Sequence, residues 1–281
     1  MEKYIIAVDM DGTLLNSENK ISERNRNVLQ RLIDDGHYVV PATGRTRELI
    51  PREFSVLRGV NWGIVENGCV VWDYDKNEMI WRKTMPKGMV SKILKDVENS
   101  GAKGWIAEAY ANGIAYSDAD ARDYVASVAD KDLLEKTFVD YFLSRHVYVR
   151  DFYHQKDILD QAEKINIYFD DMETSRVLRE KWKDLDDVAV TTSISGNAEF
   201  NAAGVDKGVG LAMLRTKLGI DRMHVIAFGD NENDLEMLEA VGCGVLMGNA
   251  PSELQKHFSF VTKSNDQDGI FQAFKELGVL N

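Results

Sequence analysis

The sequence predicts an α/β protein: a doubly wound, mainly parallel sheet with a large α+β unit inserted into it. Three observations carry this reading. The apolar run Tyr4-Ile5-Ile6-Ala7-Val8, rich in β-branched residues, has the length and composition of a strand buried on both faces. Strand and helix periods then alternate with short links over residues 1–83 and again over 188–281, the signature of a parallel sheet covered by helices. Between them, over about 84–187, the rhythm breaks into helices mixed with short strands, as expected of a separate inserted α+β unit.

After the first strand, Leu14-Leu15-Asn16-Ser17 and Lys20-Ile21 predict a short hairpin or flap. Ser22 is placed to cap a helix with Val28, Leu29, Leu32 and Ile33 at helical spacing, and Gly36 ends it. Residues 37–42 form the next strand and lead into Thr43-Gly44-Arg45; a helix is expected over about 46–57, disturbed near Pro51. A third strand covers 62–65, and a hairpin pairs 69–72 with 79–81. In the insert, the pattern predicts a helix over 88–100, strands over 104–108 and 113–116, and charged helical stretches to about 143. A strand over 165–169 and a helix over 173–185 complete it. The α/β alternation resumes at 201–207, with helices over 209–218 and 235–241 and strands over 224–228 and 243–247.

Composition narrows the function classes. The chain has 281 residues and is 44% hydrophobic, enough core for one large or two modest domains. A net charge of −12 argues against nucleic acid or an anionic membrane as partner, while leaving room for an anionic small substrate where cations are local. No apolar run approaches the ~20 residues of a membrane helix, and the N-terminus lacks the apolar region of a signal peptide. Cys69 and Cys243 stand far apart in apolar contexts and read as small buried hydrophobes, so a reduced, cytoplasmic setting is expected.

The chemistry gathers where predicted strands end. The first strand runs into Asp9-Met10-Asp11-Gly12-Thr13, and alternation along an extended segment puts Asp9 and Asp11 on one side. Ligands of open α/β sheets bind at the carboxyl ends of strands, and two adjacent carboxylates call for a cation or a shared proton. The second strand ends in Thr43-Gly44-Arg45, where Thr43 is either an anion ligand at a helix start or a simple helix cap. Lys207, in Gly204-Val205-Asp206-Lys207-Gly208, opens a helix against the positive end of its dipole; taken alone it reads either as a surface lysine or as the ligand of an anionic partner, which the unfavourable dipole position favours slightly. A further strand ends in Gly229-Asp230-Asn231-Glu232-Asn233-Asp234; Asn233 or Asp234 can cap the next helix, and Asp234 is equally suited to support a metal. Hard oxygen donors without a His/Cys cluster select magnesium over zinc.

Taken together, Asp9-Met10-Asp11-Gly12-Thr13, Thr43, Lys207 and Gly229–Asp234 resemble, in order, the four motifs of the haloacid dehalogenase (HAD) superfamily. Ala42-Thr43-Gly44-Arg45, Glu66-Asn67-Gly68 and the stretch from Glu199 to Gly208 are similar to its Cof-type, subfamily IIB sugar-phosphatase-like branch, in which a large α+β cap is inserted between the second and third motifs. The resemblance spans the whole chain and departs from the pattern at Asn201-Ala202-Ala203, where such proteins often carry a proline. It implies a magnesium-dependent phosphatase acting on a small phosphorylated metabolite, such as a sugar phosphate, through an aspartyl-phosphate. In that reading Asp9 is the nucleophile and Asp11 the acid–base. Thr43, Gly44, Arg45, Lys207 and Asn233 serve the phosphate or substrate. Asp9, Asp11 and Asp230 bind the metal, Asp11 through its backbone carbonyl, and Asp234 supports them. The resemblance also implies that the insert is a lid bearing the recognition residues, with Arg45 serving either the substrate or a surface salt bridge. Two alternatives are phosphoryl transfer to a sugar, as in phosphomannomutase-like relatives, and a receiver-like signalling module. The second is disfavoured by chain length and by the presence of Asp11. No obligate protein partner is evident.

Overall fold

The computed structural model describes residues 2–129, 136–192 and 196–279. Residues 130–135, part of the charged helical stretch expected before 143, lie outside them. Thirteen strands are ordered among the described residues. In chain order they are β1 (Ile5–Val8), β2 (Tyr38–Pro41), β3 (Trp62–Val65), β4 (Val70–Asp73), β5 (Glu78–Arg82), β6 (Trp105–Ala111), β7 (Ile114–Asp118), β8 (Val147–Val149), β9 (Ala162–Phe169), β10 (Val188–Thr191), β11 (Asn197–Ala202), β12 (Val225–Gly229) and β13 (Cys243–Leu246). The chain separates into two compact units. The first holds Met1–Gly44, Ile50–Arg82 and Val205–Asn281, and the second Arg45–Leu49 and Lys83–Gly204.

In the first unit a parallel sheet runs β13-β12-β1-β2, with Ile5 in register with both Val225 and Tyr38. A parallel bridge between Ala42 and Ile64 reaches β3, from which the antiparallel hairpin strands β4 and β5 continue. Alternate residues of β1 enter two cores. Ile6 and Val8 pack with Val28, Leu29, Leu32, Phe228 and Phe274, while Ile5 and Ala7 pack with Val40, Leu211, Leu214 and Ala227. Burial on both faces is why this strand reads as a continuous apolar run rather than an alternating one. The helix Glu23–Asp34 starts where Ser22 Oγ accepts from the Asn25 N–H at 3.2 Å and lays Val28, Leu29 and Leu32 on the sheet. Full burial of each such side chain contributes roughly 1.5–3 kcal/mol.

Two expectations change here. The stretch 14–21 is a tight turn closed by Asn16 N–H to Lys20 O at 2.9 Å, not a strand pair. The helix expected over 46–57 is replaced by two short 3₁₀ turns, Arg47–Leu49 and Arg52–Val56. Pro51 lies between them and has no N–H to continue an α-helix.

The second unit is built on a six-stranded sheet, β10-β11-β9-β6-β7-β8, antiparallel except for β7 with β8. One face carries Ala107, Ala109, Ile165, Ile167, Ala198 and Phe200. It packs on Ile93 and Val97 of the helix Met89–Asn99 and on Leu178 and Trp182 of the helix Met172–Trp182. Other positions of these strands carry buried polar groups that bond one another. Lys164 pairs with Glu199 at 2.8 Å, and Asn197 Nδ2 donates to Asn166 Oδ1 at 3.1 Å. The Glu108 carboxylate meets His146 Nε2 and accepts from Tyr110 and Tyr168, each at 2.7 Å. β10 and β11 pair within this sheet, so the unit runs to Gly204, past the break at 187 read from the pattern.

Candidate active site

The site stands at the carboxyl end of the first unit's sheet. β1 ends at Val8, but the Asp9 N–H still donates to Phe228 O at 3.0 Å, which holds Asp9 at the edge of the ladder. Asp9 is buried, with 6% exposure. The chain then turns back, Leu14 N–H to Asp9 O at 3.1 Å and Leu15 N–H to Met10 O at 2.9 Å, and leaves Asp11 exposed. Met10 instead enters the apolar core.

Lys207 is the first residue of the helix Lys207–Leu218, whose start is fixed by Asp206 Oδ1 accepting from the Val209 N–H at 2.8 Å. Its side chain is fully buried and its ammonium donates to Asp9 Oδ1 at 2.7 Å and to Asp234 Oδ1 at 2.6 Å. The other oxygen of Asp234 accepts from the N–H groups of Asp230, at 2.9 Å, and Asn231, at 3.1 Å. Asp234 thus ties Lys207 to the loop after β12, and it also forms part of a capping box with Asn231. Asp230 is held by Thr13, whose hydroxyl donates to Oδ1 at 2.8 Å. Gly12 lets this contact form: a Cβ there would stand 2.3 Å from Asp230 Oδ2.

Asp9, Asp230 and Asp234 each present a carboxylate oxygen within 4.8 Å of the others. With Asp11 close by, Lys207 is the ammonium bonded within a crowd of four carboxylates. Burial raises the Asp9 carboxyl well above its ordinary value; Lys207 opposes that, and Asp234, Asp230 and Asp11 add to it. Burial and Asp234 likewise push Asp230 up to about 6, against the pull of Thr13 and Lys207. For Lys207, burial works to discharge the amine, but Asp234 and Asp9 outweigh it and the ammonium is raised above its usual value. Excess negative charge on hard oxygens is what a divalent cation relieves, so the donor set fits a hard, oxygen-preferring divalent ion.

Thr43 is buried just past the end of β2: its N–H donates to Ile64 O at 2.9 Å and its carbonyl accepts from the Asn67 N–H at 3.1 Å. Glu66 and Asn67 both take left-handed φ, 56° and 54°, a costly conformation for residues with a side chain. That turn sets Asn67 Oδ1 to accept from Asn233 Nδ2 at 3.2 Å. Thr43, Asp9, Lys207, Asp230, Asn233 and Asp234 therefore all lie in the first unit, with Gly44 at its boundary. Arg45 falls in the second, where its guanidinium stands over the Tyr141 ring at 5.4 Å and donates to Leu49 O at 3.1 Å. Sequence reasoning gave no role to Thr13, Asn67 or Asn249. Asn249 follows β13, and the rule that ligands gather at the carboxyl ends of strands was the available signal.

Comparison with known proteins gives a consistent picture. A family profile described as haloacid dehalogenase-like hydrolase matches residues 6–274. The chain is 30% identical over 271 residues to the Bacillus subtilis 5-amino-6-(5-phospho-D-ribitylamino)uracil phosphatase YcsE, covering 96% of this chain and 94% of the relative. Its structure is similar to that of a haloacid dehalogenase-like hydrolase from B. subtilis, with a TM-score of 0.82 at 27% identity over 98% of this chain and 99% of that one. It shares its fold with the HAD subclass IIB sugar phosphatase BT4131, at a TM-score of 0.82 and 21% identity, covering 99% of this chain and all of that one (100%).

Proposed function

The chain belongs to the haloacid dehalogenase-like hydrolases, in the Cof-type branch, and is a phosphoric monoester hydrolase; from that premise we propose that it cleaves a small phosphorylated metabolite, a sugar phosphate or related phosphomonoester, through an aspartyl-phosphate on Asp9. The observation that carries the reading is the buried Lys207 ammonium bridging Asp9 and Asp234 at 2.7 and 2.6 Å. It holds a carboxylate in one orientation and supplies positive charge where a phosphoryl group would arrive.

Asp9, the backbone carbonyl of Asp11 and Asp230 would hold a magnesium ion, with Asp234 supporting them. When bound, the ion screens Asp9 from the phosphate dianion and draws charge from its oxygens. The Asp9 carboxylate attacks phosphorus, and the bond to the alcohol oxygen breaks with its electron pair. Asp11, exposed beside Asp9, protonates that oxygen and then takes a proton from the water that attacks the phosphoaspartate. Release of phosphate returns Asp9 and Asp11 to their starting states. The Thr43 hydroxyl and Gly44 N–H bind phosphoryl oxygens, Lys207 balances the charge that grows on them, and Asn233, through Asn67, braces the Thr43 turn. Discrimination among substrates belongs to the second unit, which contains Arg45.

The test is phosphate release by the purified protein from a panel of phosphomonoesters. Sugar phosphates are included, as is 5-amino-6-(5-phospho-D-ribitylamino)uracil, the compound named for its relative YcsE. Each is assayed with magnesium and with chelator. Release with magnesium and none with chelator supports the reading; release undiminished by chelator, or conversion of a hexose phosphate without release, contradicts it.

A further inference from the structure

Asp230 is held on both carboxylate oxygens, and one holder lies outside the four motifs. Thr13 donates to Oδ1 at 2.8 Å, whereas Asn249 Nδ2 donates to Gly12 O at 2.8 Å and approaches Asp230 Oδ2 at 3.3 Å. The orientation of this amide is fixed from its other end, because Asn249 Oδ1 accepts from the Asn265 N–H at 3.0 Å. Only Nδ2 can then face Gly12 and Asp230.

The loop that carries Asn249 is braced independently of its side chain. The Met247 N–H donates to Gly229 O at 2.9 Å and the Gly248 N–H to Lys263 O at 3.2 Å. Gln255 Nε2 donates to Gly248 O at 3.1 Å and to Ala250 O at 2.8 Å. Asn265 in turn reaches Leu15 O with its own amide at 2.9 Å. The loop after β13 and the turn after β1 are thereby joined around Asp230.

We propose that Asn249 is a positioning residue of this phosphatase: by fixing the plane of the Asp230 carboxylate and the course of the chain at Gly12, it sets the affinity of the site for magnesium over larger divalent ions. The proposal rests on the magnesium reading above. A carboxylate held by one donor alone can swing about its Cβ–Cγ bond. Magnesium demands near-octahedral geometry at short range, whereas calcium accepts a longer and more variable shell. Removing the second donor should therefore cost magnesium more than calcium. Groups that orient metal ligands in this way typically change metal affinity by about 10–100-fold.

The experiment titrates magnesium and calcium into metal-depleted native protein, Asn249→Ala and Gln255→Ala by calorimetry, and records the thermal unfolding of each without metal. The expected result is magnesium binding weakened about tenfold in Asn249→Ala, calcium weakened less, metal-free unfolding unchanged, and kcat restored at saturating magnesium. Gln255→Ala, which loosens the loop but keeps the amide, should bind magnesium like the native protein. Equal magnesium affinity in native protein and Asn249→Ala would overturn the proposal alone, as would an equal loss in Gln255→Ala. Native protein that binds no magnesium would overturn the magnesium reading and this proposal with it.

Discussion

Lys207 and Asp234 form a fully buried ion pair at 2.6 Å, and the same ammonium reaches Asp9 at 2.7 Å. A buried pair of this kind is weak evidence for stability, since two charges must leave water to make it. Its value lies in geometry: Asp234 is itself anchored by the N–H groups of Asp230 and Asn231, so Asp9 and the loop after β12 share one frame.

Removing Lys207 should therefore do two things at once. Lys207→Met leaves Asp9 and Asp234 buried without their cation, and breaking such a pair costs about 3–5 kcal/mol. Urea unfolding should show a loss of that order, and phosphate release should fall below detection. A variant as stable as the native protein would mean that the two carboxylates find other compensation.

Gly12→Ala tests the close approach to Asp230. Gly12 has φ +83°, and the added Cβ would meet Asp230 Oδ2 at 2.3 Å. The backbone cost is about 1–2 kcal/mol, small enough for the protein to remain folded. Asp230 must move, so metal affinity and turnover should drop by far more than stability does. Calorimetric magnesium titration beside a melting curve separates the two effects.

Glu108 makes a prediction about acid. Burial alone would raise its carboxyl, but the charge of His146 and hydrogen bonds from His146, Tyr168 and Tyr110 prevail and hold it at about 2. Because the folded value lies below the unfolded one, near 4.5, the unfolded chain takes up the proton first. The stabilisation is complete above about 4.5 and is lost as pH falls from there toward 2. Its size is on the order of 3 kcal/mol. Glu108→Gln should be less stable at neutral pH and flatter below pH ~4.5 than the native protein. Parallel stability profiles of the two proteins across that range would contradict this assignment.

Exchange of the second unit tests where specificity resides. Replacing residues 83–204 by the corresponding segment of a relative should reorder kcat/KM across the phosphomonoester panel, while Asp9, Lys207 and Asp230 remain indispensable. An unchanged ranking would move recognition out of residues 83–204, to the segment Arg45–Leu49 or the first unit.

Much of this was legible in the sequence where local chemistry dominates. The β1 run, the acids that follow it and the Lys207 helix start needed no tertiary information. Other features were decided by partners distant in sequence. Asp9 and Asp11 stay close enough to interact yet differ in burial, because pairing of Asp9 with Phe228 prolongs the ladder by one residue and the chain then turns, burying one and exposing the other. β11 alternates Asn197, Glu199 and Asn201 with Ala198, Phe200 and Ala202, yet all six are buried. Its polar residues include the partners of Lys164 and Asn166 on β9, which no local pattern reveals. Asn67 and Asn249 look like ordinary turn residues until Asn233 and Asp230 are brought to them.

The central claim is that Asp9 carries the phosphoryl group, and trapping that species tests it most directly. Asp11→Asn keeps Asp9 and removes the group proposed to activate water. After incubation with magnesium and a phosphomonoester that has a good leaving group, rapid acid quench and peptide mass spectrometry should find one phosphoryl group on the peptide containing Asp9. Native protein should show little of it, and Asp9→Asn none, with turnover at least a hundredfold below native. A phosphoryl group on another residue, or turnover by Asp9→Asn close to the native rate, would contradict the account.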